Sequence, residues 1–346
     1  MSNPLLQFDR EFSRDCYALL KPYWQSADKW VGLFYLSICL SLTVVSVVAT
    51  VAINTFSKNF YNALQAYNTE ALPGLLLYFG FLVLISTLAS GYAFYFNGRL
   101  NLHWRKFLIE KFLRSWQQTR HTINLQALDN PDQRISEDIM LFVDLTLEIF
   151  TLVFQSGLTL ILFGALLWRL SGNIFFIPGY LFLSALLFAI IGSGITHVFC
   201  KKLATLEYEK QKWNADFRFA LMALREKRSV NPDFSPILSP VFHNYFLMIF
   251  LETRLKLVTG GYNAIAFIIG LVIAIPQYLH RQLQLGGLMQ ISGAFSSVVL
   301  ALSAFINSYS RFAEWRSVIH RLREFEKLIT TEKEKVKQDV IEEPSV

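Results

Sequence analysis

The chain has 346 residues, of which 53% are hydrophobic and 17% are charged, and its formal net charge is +6. With a mean hydropathy of +0.37, this composition indicates a membrane protein. The basic residues are scattered over many segments instead of forming one patch, which argues against a nucleic-acid-binding protein.

The residue types that carry metal, thiol or hydrolytic chemistry do not form recognisable sites in the sequence. The three cysteines, Cys16, Cys39 and Cys200, include no CxxC pair, and the six histidines are dispersed. HExxH, nucleophile-elbow and Walker A sequences are also absent from the 346 residues. We therefore expect no cofactor, no metal and no enzymatic activity in this chain.

Six charge-sparse stretches divide the chain, and each has about 20 residues or more, enough to cross roughly 30 Å of hydrocarbon. They are residues 30–53, 72–96, 149–168, 174–199, 257–278 and 285–310. The first follows a long polar, aromatic-rich segment, so we do not interpret it as a cleaved signal peptide. The pattern predicts an all-α, polytopic membrane protein with six transmembrane helices.

The positive charges fall on alternate sides of these stretches. Of the 32 lysine and arginine residues, all except Lys58, Arg169 and Arg281 lie in the two terminal segments or in the second and fourth loops. The positive-inside rule therefore places both termini in the cytoplasm. The predicted organisation is a cytoplasmic segment 1–29, a six-helix transmembrane domain with cytoplasmic extensions 30–328, and a charged cytoplasmic tail 329–346.

The long cytoplasmic segments read as extensions of the membrane helices. Asn130 suits a helix N-cap, Pro131 the first helical position and Gln133 a capping box, so a helix of roughly 57 Å is predicted over 131–168. Residues 97–119 and 203–226 continue the second and fourth helices in the same way. Beyond the second of these extensions, Pro232, Pro236 and Pro240 predict a connector. The tail from residue 330 is predicted to be a short helix that frays.

Polar residues form stripes along three of the predicted spans. Two interpretations stay open for them, namely the lining of a wet cavity and close packing between membrane helices. The first, third and sixth spans supply the cavity-lining candidates: Asn54, Gln155, Thr159, Ser303 and Asn307.

Carboxylates near the inner ends of the spans are candidates for proton coupling. A charged group there is costly unless it is paired or hydrated, and burial raises the pKa of a carboxyl group toward neutrality. Glu148 is the first candidate, and Asp144 and Glu207 continue the acidic trail toward the cytoplasm. Glu314 is a further candidate, although its spacing from Arg311 also predicts an intrahelical ion pair.

Several stretches resemble bacterial relatives of the ABC subfamily D transporters, and the end of the chain resembles the SbmA/BacA peptide transporters. The matches are spread over residues 10–328. They are 12–30, which includes Lys21-Pro22-Tyr23-Trp24; 59–65; 130–138, which begins Asn130-Pro131-Asp132-Gln133; 206–226; and 288–326, which includes Arg321-Leu322-Arg323-Glu324-Phe325-Glu326.

The resemblance implies an exporter-type ABC transmembrane fold, but the sequence departs from subfamily D in two respects. It ends at Val346 without the ATPase domain of that subfamily, and residues 227–232 differ from its coupling stretch. SbmA/BacA-like transporters lack the ATPase. The resemblance thus implies a homodimer in the bacterial inner membrane that imports peptides, peptide antibiotics and other bulky solutes with the proton gradient. It also places Glu148, Glu207 and Glu314 at acidic positions of SbmA-like chains.

Two other interpretations stay open from the sequence. The chain is alternatively the membrane subunit of a split ABC transporter with a separate ATPase chain. A third class is a membrane scaffold or receptor that uses its long cytoplasmic helices as a docking surface. The sequence names neither the substrate nor the direction of transport.

Overall fold

We describe a computed structural model that covers residues 10–119, 131–172, 177–225 and 235–342. Helices make up the secondary structure of these ranges, and no strand occurs in them. In chain order the helices are α1 (Arg10–Trp24), α2 (Lys29–Gln65), α3 (Ala71–Thr119), α4 (Pro131–Leu170), α5 (Tyr180–Arg225), α6 (Ser235–Leu279), α7 (Leu285–Asn307) and α8 (Tyr309–Glu342). Within α4, residues Arg134–Asp138 form a π-helical turn.

Five of the helices are long and apolar enough to cross a membrane: α2, α3, α4, α6 and α7. By length and composition they agree with five of the six predicted spans. In α5 the apolar part covers 17 described residues, Tyr180–Thr196. The first residues of the predicted fourth span, 174–199, lie outside the described ranges. The fourth span therefore stays a prediction.

The helices are much longer than a bilayer requires. α3 has 49 residues, α4 has 40, α5 has 46 and α6 has 45. At about 1.5 Å per residue these helices are roughly 60–75 Å long, about twice the hydrocarbon thickness. The predicted helical extensions are confirmed, with α3 ending at Thr119 and α4 beginning at Pro131. The predicted cap Asn130 lies outside the described residues.

One local prediction was wrong. Pro236 and Pro240 do not form a connector, because α6 already begins at Ser235. Pro236 stands in the first turn, where its missing N–H has no helical partner to lose, and Pro240 removes one bond close to the helix start. The helix predicted from residue 330 is confirmed, and it is the continuation of α8, which runs to Glu342 through a sequence rich in Glu and Lys.

The chain divides into two compact units. The first consists of Met1–Ile53, Leu76–Leu158 and Arg311–Val346. Its core joins α1, α3, α4 and α8 around fully buried aromatic side chains, and Tyr23 stacks on Trp104 with ring centroids 5.3 Å apart. Phe112 and Phe325 stack in the same core at 6.0 Å. Burial of such large rings contributes much of the stability of this unit.

The second unit consists of Asn54–Leu75 and Thr159–Ser310. Here α5, α6 and α7 pack against one another, and Phe188 stacks on Tyr262 with ring centroids 4.5 Å apart. The Tyr262 hydroxyl donates to the Phe188 carbonyl oxygen at 2.8 Å, which joins α5 to α6.

The end of α2 caps the start of α7 in this unit. The Leu285 N–H donates to Gln65 Oε1 at 2.9 Å, and the Gly286 N–H donates to Asn62 Oδ1 at 2.8 Å. The first N–H groups of a helix have no partner within the helix, so these amide side chains satisfy two of them. The contact gives Asn62 and Gln65 of the 59–65 stretch a structural role.

We expect Gly286→Ala to destabilise this cap. A Cβ atom at Gly286 would overlap the Lys58 carbonyl oxygen and lie 2.5 Å from Asn62 Oδ1. Overpacking of this kind costs about 1–3 kcal/mol, so the apparent unfolding temperature in detergent falls. Gly74→Ala is the control, because a Cβ there meets no atom within 4 Å. Equal unfolding temperatures for the two variants would contradict the close approach.

Candidate functional site

Three acidic side chains along α4 have a basic partner on another helix of the first unit. Asp138, Asp144 and Glu148 pair with Arg321, Arg105 and Arg311 respectively. A carboxylate with a cationic partner is stabilised in its charged form. The row is therefore a set of ion pairs between α4 and the helices α3 and α8.

Asp138 is the most enclosed of these groups, with 3% of its side chain exposed. Arg321 binds it with two bonds, from Nη2 to Oδ1 at 2.7 Å and from Nε to Oδ2 at 3.0 Å. Arg134, one helical turn earlier, donates from Nη1 to Oδ2 at 2.7 Å. Paired, bidentate arginine contacts are the strong class of charged hydrogen bonds, so we interpret this cluster as a clamp between α4 and α8.

The charge state of Asp138 follows from these contacts. Burial alone raises the pKa of this carboxyl group, but the hydrogen bonds and charges of Arg321 and Arg134 outweigh burial and hold the pKa below its ordinary value. Asp138 is consequently ionised at neutral pH and is not suited to exchange a proton there. Its contribution to stability is present above its ordinary pKa and is lost as the pH falls through the lowered pKa.

Asp144 pairs with two residues of α3. Asn101 Nδ2 donates to its Oδ1 at 2.6 Å, and Arg105 forms an ion pair with the same oxygen. The Asp144 side chain is 43% exposed. This candidate is thus held between α3 and α4 while it keeps access to solvent.

Glu148 shares a cation with Glu314. Arg311 Nε lies 3.6 Å from Glu148 Oε1, and Arg311 Nη1 lies 3.9 Å from Glu314 Oε2. About half of each side chain is exposed. The intrahelical pair of Arg311 with Glu314 that the spacing predicted is confirmed, and the structure adds Glu148 on α4 as a second partner.

The remaining acidic candidate lies on α5. Glu207 is in the helical part of α5, but its side chain lies outside the described part of the structure. The neighbouring Glu209 is described and exposed.

The cavity-lining candidates occupy different surroundings. Gln155 is exposed on α4, and Thr159 is partly buried one turn further along the same helix. Ser303 on α7 is hydrogen-bonded to the Tyr262 hydroxyl. The side chain of Asn307 lies outside the described residues.

Asn54 is buried between α2 and α7. Its Nδ2 donates to the Gln290 carbonyl oxygen at 3.1 Å, and a Cβ on Gly293 would lie 2.6 Å from the same nitrogen. The glycine therefore allows close approach of the two helices at this point. Asn54 Oδ1 and Gln290 Oε1 are buried without a protein hydrogen-bond partner. The lining of a cavity by the five candidates stays a prediction; they are Asn54, Gln155, Thr159, Ser303 and Asn307.

Sequence reasoning missed the basic half of the site. Arg105 and Arg321 were not predicted to pair with the acidic residues of α4, because their partners are 39 and 183 residues away in the chain. The one available signal was that both ends of the clamp fall in the stretches 130–138 and 288–326 that carried the resemblance. Within the described ranges, no group of three or more His, Cys, Asp or Glu residues is arranged to hold a metal ion.

Comparison with known proteins places the chain in a family. The model of the SbmA/BacA-like family matches residues 24–330. An inner membrane ABC transporter ATP-binding protein, YddA of Escherichia coli (strain K12), is 30% identical over 90% of this chain and 60% of its own length. ABC transporter D family member 2, chloroplastic, of Arabidopsis thaliana is 26% identical over 90% of this chain and 45% of its own length.

A third relative is the lysosomal cobalamin transporter ABCD4 of Homo sapiens, which is 25% identical over 64% of this chain and 35% of its own length. The chain thus spans between about a third and 60% of the length of these three relatives. The family match covers most of the chain, including α2 to α7 and the ion-pair row of α4. The chain is therefore a polytopic membrane protein that belongs to the SbmA/BacA-like family.

Proposed function

We propose that this protein is a proton-driven importer of peptides and other bulky solutes in the bacterial inner membrane, with both termini in the cytoplasm. Its family membership and its ABC transporter relatives support a membrane transporter. The observation that carries the proton-driven part is the position of Arg311 between two carboxylates on different helices, Glu148 and Glu314.

The shared cation is suited to a protonation switch. When Glu148 is ionised, its charge attracts Arg311 and holds the start of α8 against α4. When Glu148 is protonated, that attraction is lost and Glu314 becomes the stronger partner of Arg311. A proton shifts a conformational equilibrium only if it binds one state better than the other, and a carboxylate paired in one state alone meets that requirement.

The Asp138 clamp supplies a fixed point for this movement. Asp138 and Arg321 hold α4 and α8 together about 15 Å along α8 from Arg311, at about 1.5 Å per residue. Between them Trp315 Nε1 donates to Thr146 Oγ1 at 2.8 Å. We propose that the clamped ends stay together while the Arg311 end separates when Glu148 binds a proton.

We further propose that the transporter works as a homodimer, because α6 exposes an apolar stripe. Phe242, Phe246 and Ile249 are 67%, 66% and 61% exposed in the single chain. α6 is joined by a short turn to the spanning helix α7, so the last 20 or so residues of α6 cross the bilayer and the 235–256 part lies outside it. A large apolar patch in water marks a protein interface, and a second copy is the partner we propose.

We expect Phe246→Asp to shift the protein from dimer to monomer. The substitution removes the apolar ring and places a charge in the interface. Loss of a hot-spot contact costs about 2 kcal/mol or more of binding free energy, which weakens dimerisation by roughly 30-fold. The measurement is mass photometry of the purified protein in detergent over a dilution series. Glu252→Ala, an exposed polar position on the same helix, is the control. An unchanged dimer fraction in Phe246→Asp would contradict the interface.

The test of transport uses liposomes that contain this chain alone, no ATP, and an imposed pH gradient. A fluorescent cationic peptide is added outside, and its entry is followed with and without a protonophore. We expect entry that depends on the gradient and stops when the protonophore collapses it. Entry without any dependence on the gradient, or no entry into liposomes with verified folded protein, would overturn the proposal.

The alternative is the membrane subunit of a split ABC transporter. Its support is that YddA and the Arabidopsis thaliana relative are named as ABC transporter proteins, and that the name of YddA includes ATP-binding. The test is purification of this chain from its native membranes under mild conditions. An ATPase chain that co-purifies and makes peptide uptake depend on ATP would favour the alternative.

A further inference from the structure

The short helix α1 presents a basic stripe on the side that faces away from the core of the first unit. Four residues share this side at steps of 4, 3 and 4: Arg10, Arg14, Tyr17 and Lys21. All four are exposed, and Tyr17 is 59% exposed. The Lys21 Nζ atom lies 5.8 Å from the centre of the Tyr17 ring. We call these four residues the α1 stripe.

The opposite side of α1 is fixed to the protein. Leu19 and Tyr23 are 1% and 0% exposed and belong to the core of the first unit. Asp15 accepts a hydrogen bond from Arg323 Nε at 3.2 Å and lies 3.8 Å from Lys327 Nζ on α8. The α1 stripe therefore cannot turn inward, and its outward direction is a property of the fold.

The connection to the first membrane helix keeps α1 close to the bilayer. Residues 25–28 are the complete link between α1 and α2, and four residues reach at most about 14 Å. The link is also ordered by hydrogen bonds, including Ser26 Oγ to the Tyr23 carbonyl oxygen at 2.7 Å. A Cβ on Gly32 would lie 2.6 Å from the Tyr23 hydroxyl, so α1 and α2 meet tightly at this corner.

The start of α2 has the residues of a membrane interface. Trp30 is 70% exposed, and Lys29 Nζ lies 5.5 Å from the centre of its ring. Tryptophan and tyrosine favour the headgroup level of the bilayer, and lysine and arginine bind phosphate there. The four cations Arg10, Arg14, Lys21 and Lys29 outnumber the acids of this surface, which are Glu11, at 3.6 Å from Arg14, and Asp28, while Asp15 is turned inward.

We propose that the α1 stripe, together with Lys29 and Trp30, is a binding site for the headgroups of anionic phospholipids. The charge of the stripe complements lipid phosphate, and the two exposed aromatic residues fit the interfacial depth. Because Asp15 joins α1 to α8, lipid bound at the stripe braces the helix that carries Arg311. The proposal rests on the membrane-spanning helices and not on the transported substrate, so a failed transport test leaves it standing.

The experiment is a titration of the purified full-length protein in detergent with short-chain phosphatidylglycerol, with the unfolding temperature as readout. We expect phosphatidylglycerol to stabilise the protein and phosphatidylcholine to leave it unchanged. In the variant Arg10→Gln/Arg14→Gln/Lys21→Gln, the apparent affinity for phosphatidylglycerol falls by about fivefold for each basic residue, or about 100-fold in all.

The matched control is Lys106→Gln/Arg114→Gln/Lys212→Gln, which removes the same number of exposed charges elsewhere and should keep the wild-type affinity. An equal loss in both variants would show attraction by net charge only and overturn the proposal. Stabilisation by glycerol phosphate as strong as by the lipid would also overturn it. So would stabilisation by polyglutamate in place of the lipid, because that result indicates an acidic protein partner.

Discussion

Asp138→Asn is expected to destabilise the first unit more than any other single charge removal along α4. Asp138 is 3% exposed and is the common partner of Arg134 and Arg321. Its neutralisation leaves two guanidinium groups without their counter-charge, a loss that typically costs about 3–5 kcal/mol in an enclosed site. The measurement is the apparent unfolding temperature and the yield of folded protein in detergent.

The matched control is Glu137→Gln, one residue earlier in the same π-helical turn. Glu137 is exposed and accepts a hydrogen bond from Gln133 at 3.0 Å. We expect its neutralisation to change stability by less than about 0.5 kcal/mol, as is usual for surface positions. Similar unfolding temperatures for the two variants would contradict the clamp.

A double variant makes the test independent of whether Asp138→Asn folds well. Residues in direct contact give non-additive effects, so Arg321→Gln added to Asp138→Asn should cost less than the sum of the two single changes. The pH dependence has a defined sign. Because the pKa of Asp138 is lowered in the fold, its contribution should persist down to the ordinary pKa of a carboxyl group and be lost as the pH falls through the lowered pKa, and Asp138→Asn should lack that acid-dependent loss.

Glu148→Gln is expected to lower gradient-driven uptake strongly while the protein stays folded. The side chain is 51% exposed and its contact with Arg311 is 3.6 Å long, so the pair contributes little to stability. Loss of a proton-coupling group should lower gradient-driven peptide uptake by roughly 5–150-fold, because typical coupling free energies between two sites correspond to changes of that size. The readouts are the initial rate of uptake into liposomes and, in parallel, the unfolding temperature.

The control for Glu148 is Glu110→Gln on the extension of α3. Glu110 is also about half exposed and paired with basic neighbours, Lys106 and Arg114, but it lies at no candidate site. We expect this variant to transport normally. Normal transport by Glu148→Gln would remove Glu148 from the mechanism, and a lowered unfolding temperature would assign its effect to folding.

Most of the helical architecture was predictable, because it depends on local properties of the sequence. The end of α3 at Thr119, the start of α4 at Pro131 and the helical extensions follow from apolar periodicity and the positions of breakers. Pro240 shows the limit of this reasoning. A proline was interpreted as a helix boundary, although near a helix start it removes at most one hydrogen bond.

The contacts of the site depend on packing between distant segments, and single-sequence patterns do not contain them. Asp138 and Arg321 are 183 residues apart, so neither residue alone indicates a buried pair. The spacing of Ser303 predicted its helix face but not that Tyr262 lies opposite it. Only the pair Arg311 and Glu314 was predicted, because both residues lie on one helix.

The most direct test of proton coupling is whether a peptide gradient moves protons. Liposomes containing this chain would enclose a pH-sensitive dye, with equal pH on both sides and the membrane voltage held by potassium and valinomycin. On addition of external peptide, we predict acidification of the lumen that requires the protein and is absent with Glu148→Gln. Peptide entry with an unchanged lumenal pH would contradict a proton-driven importer.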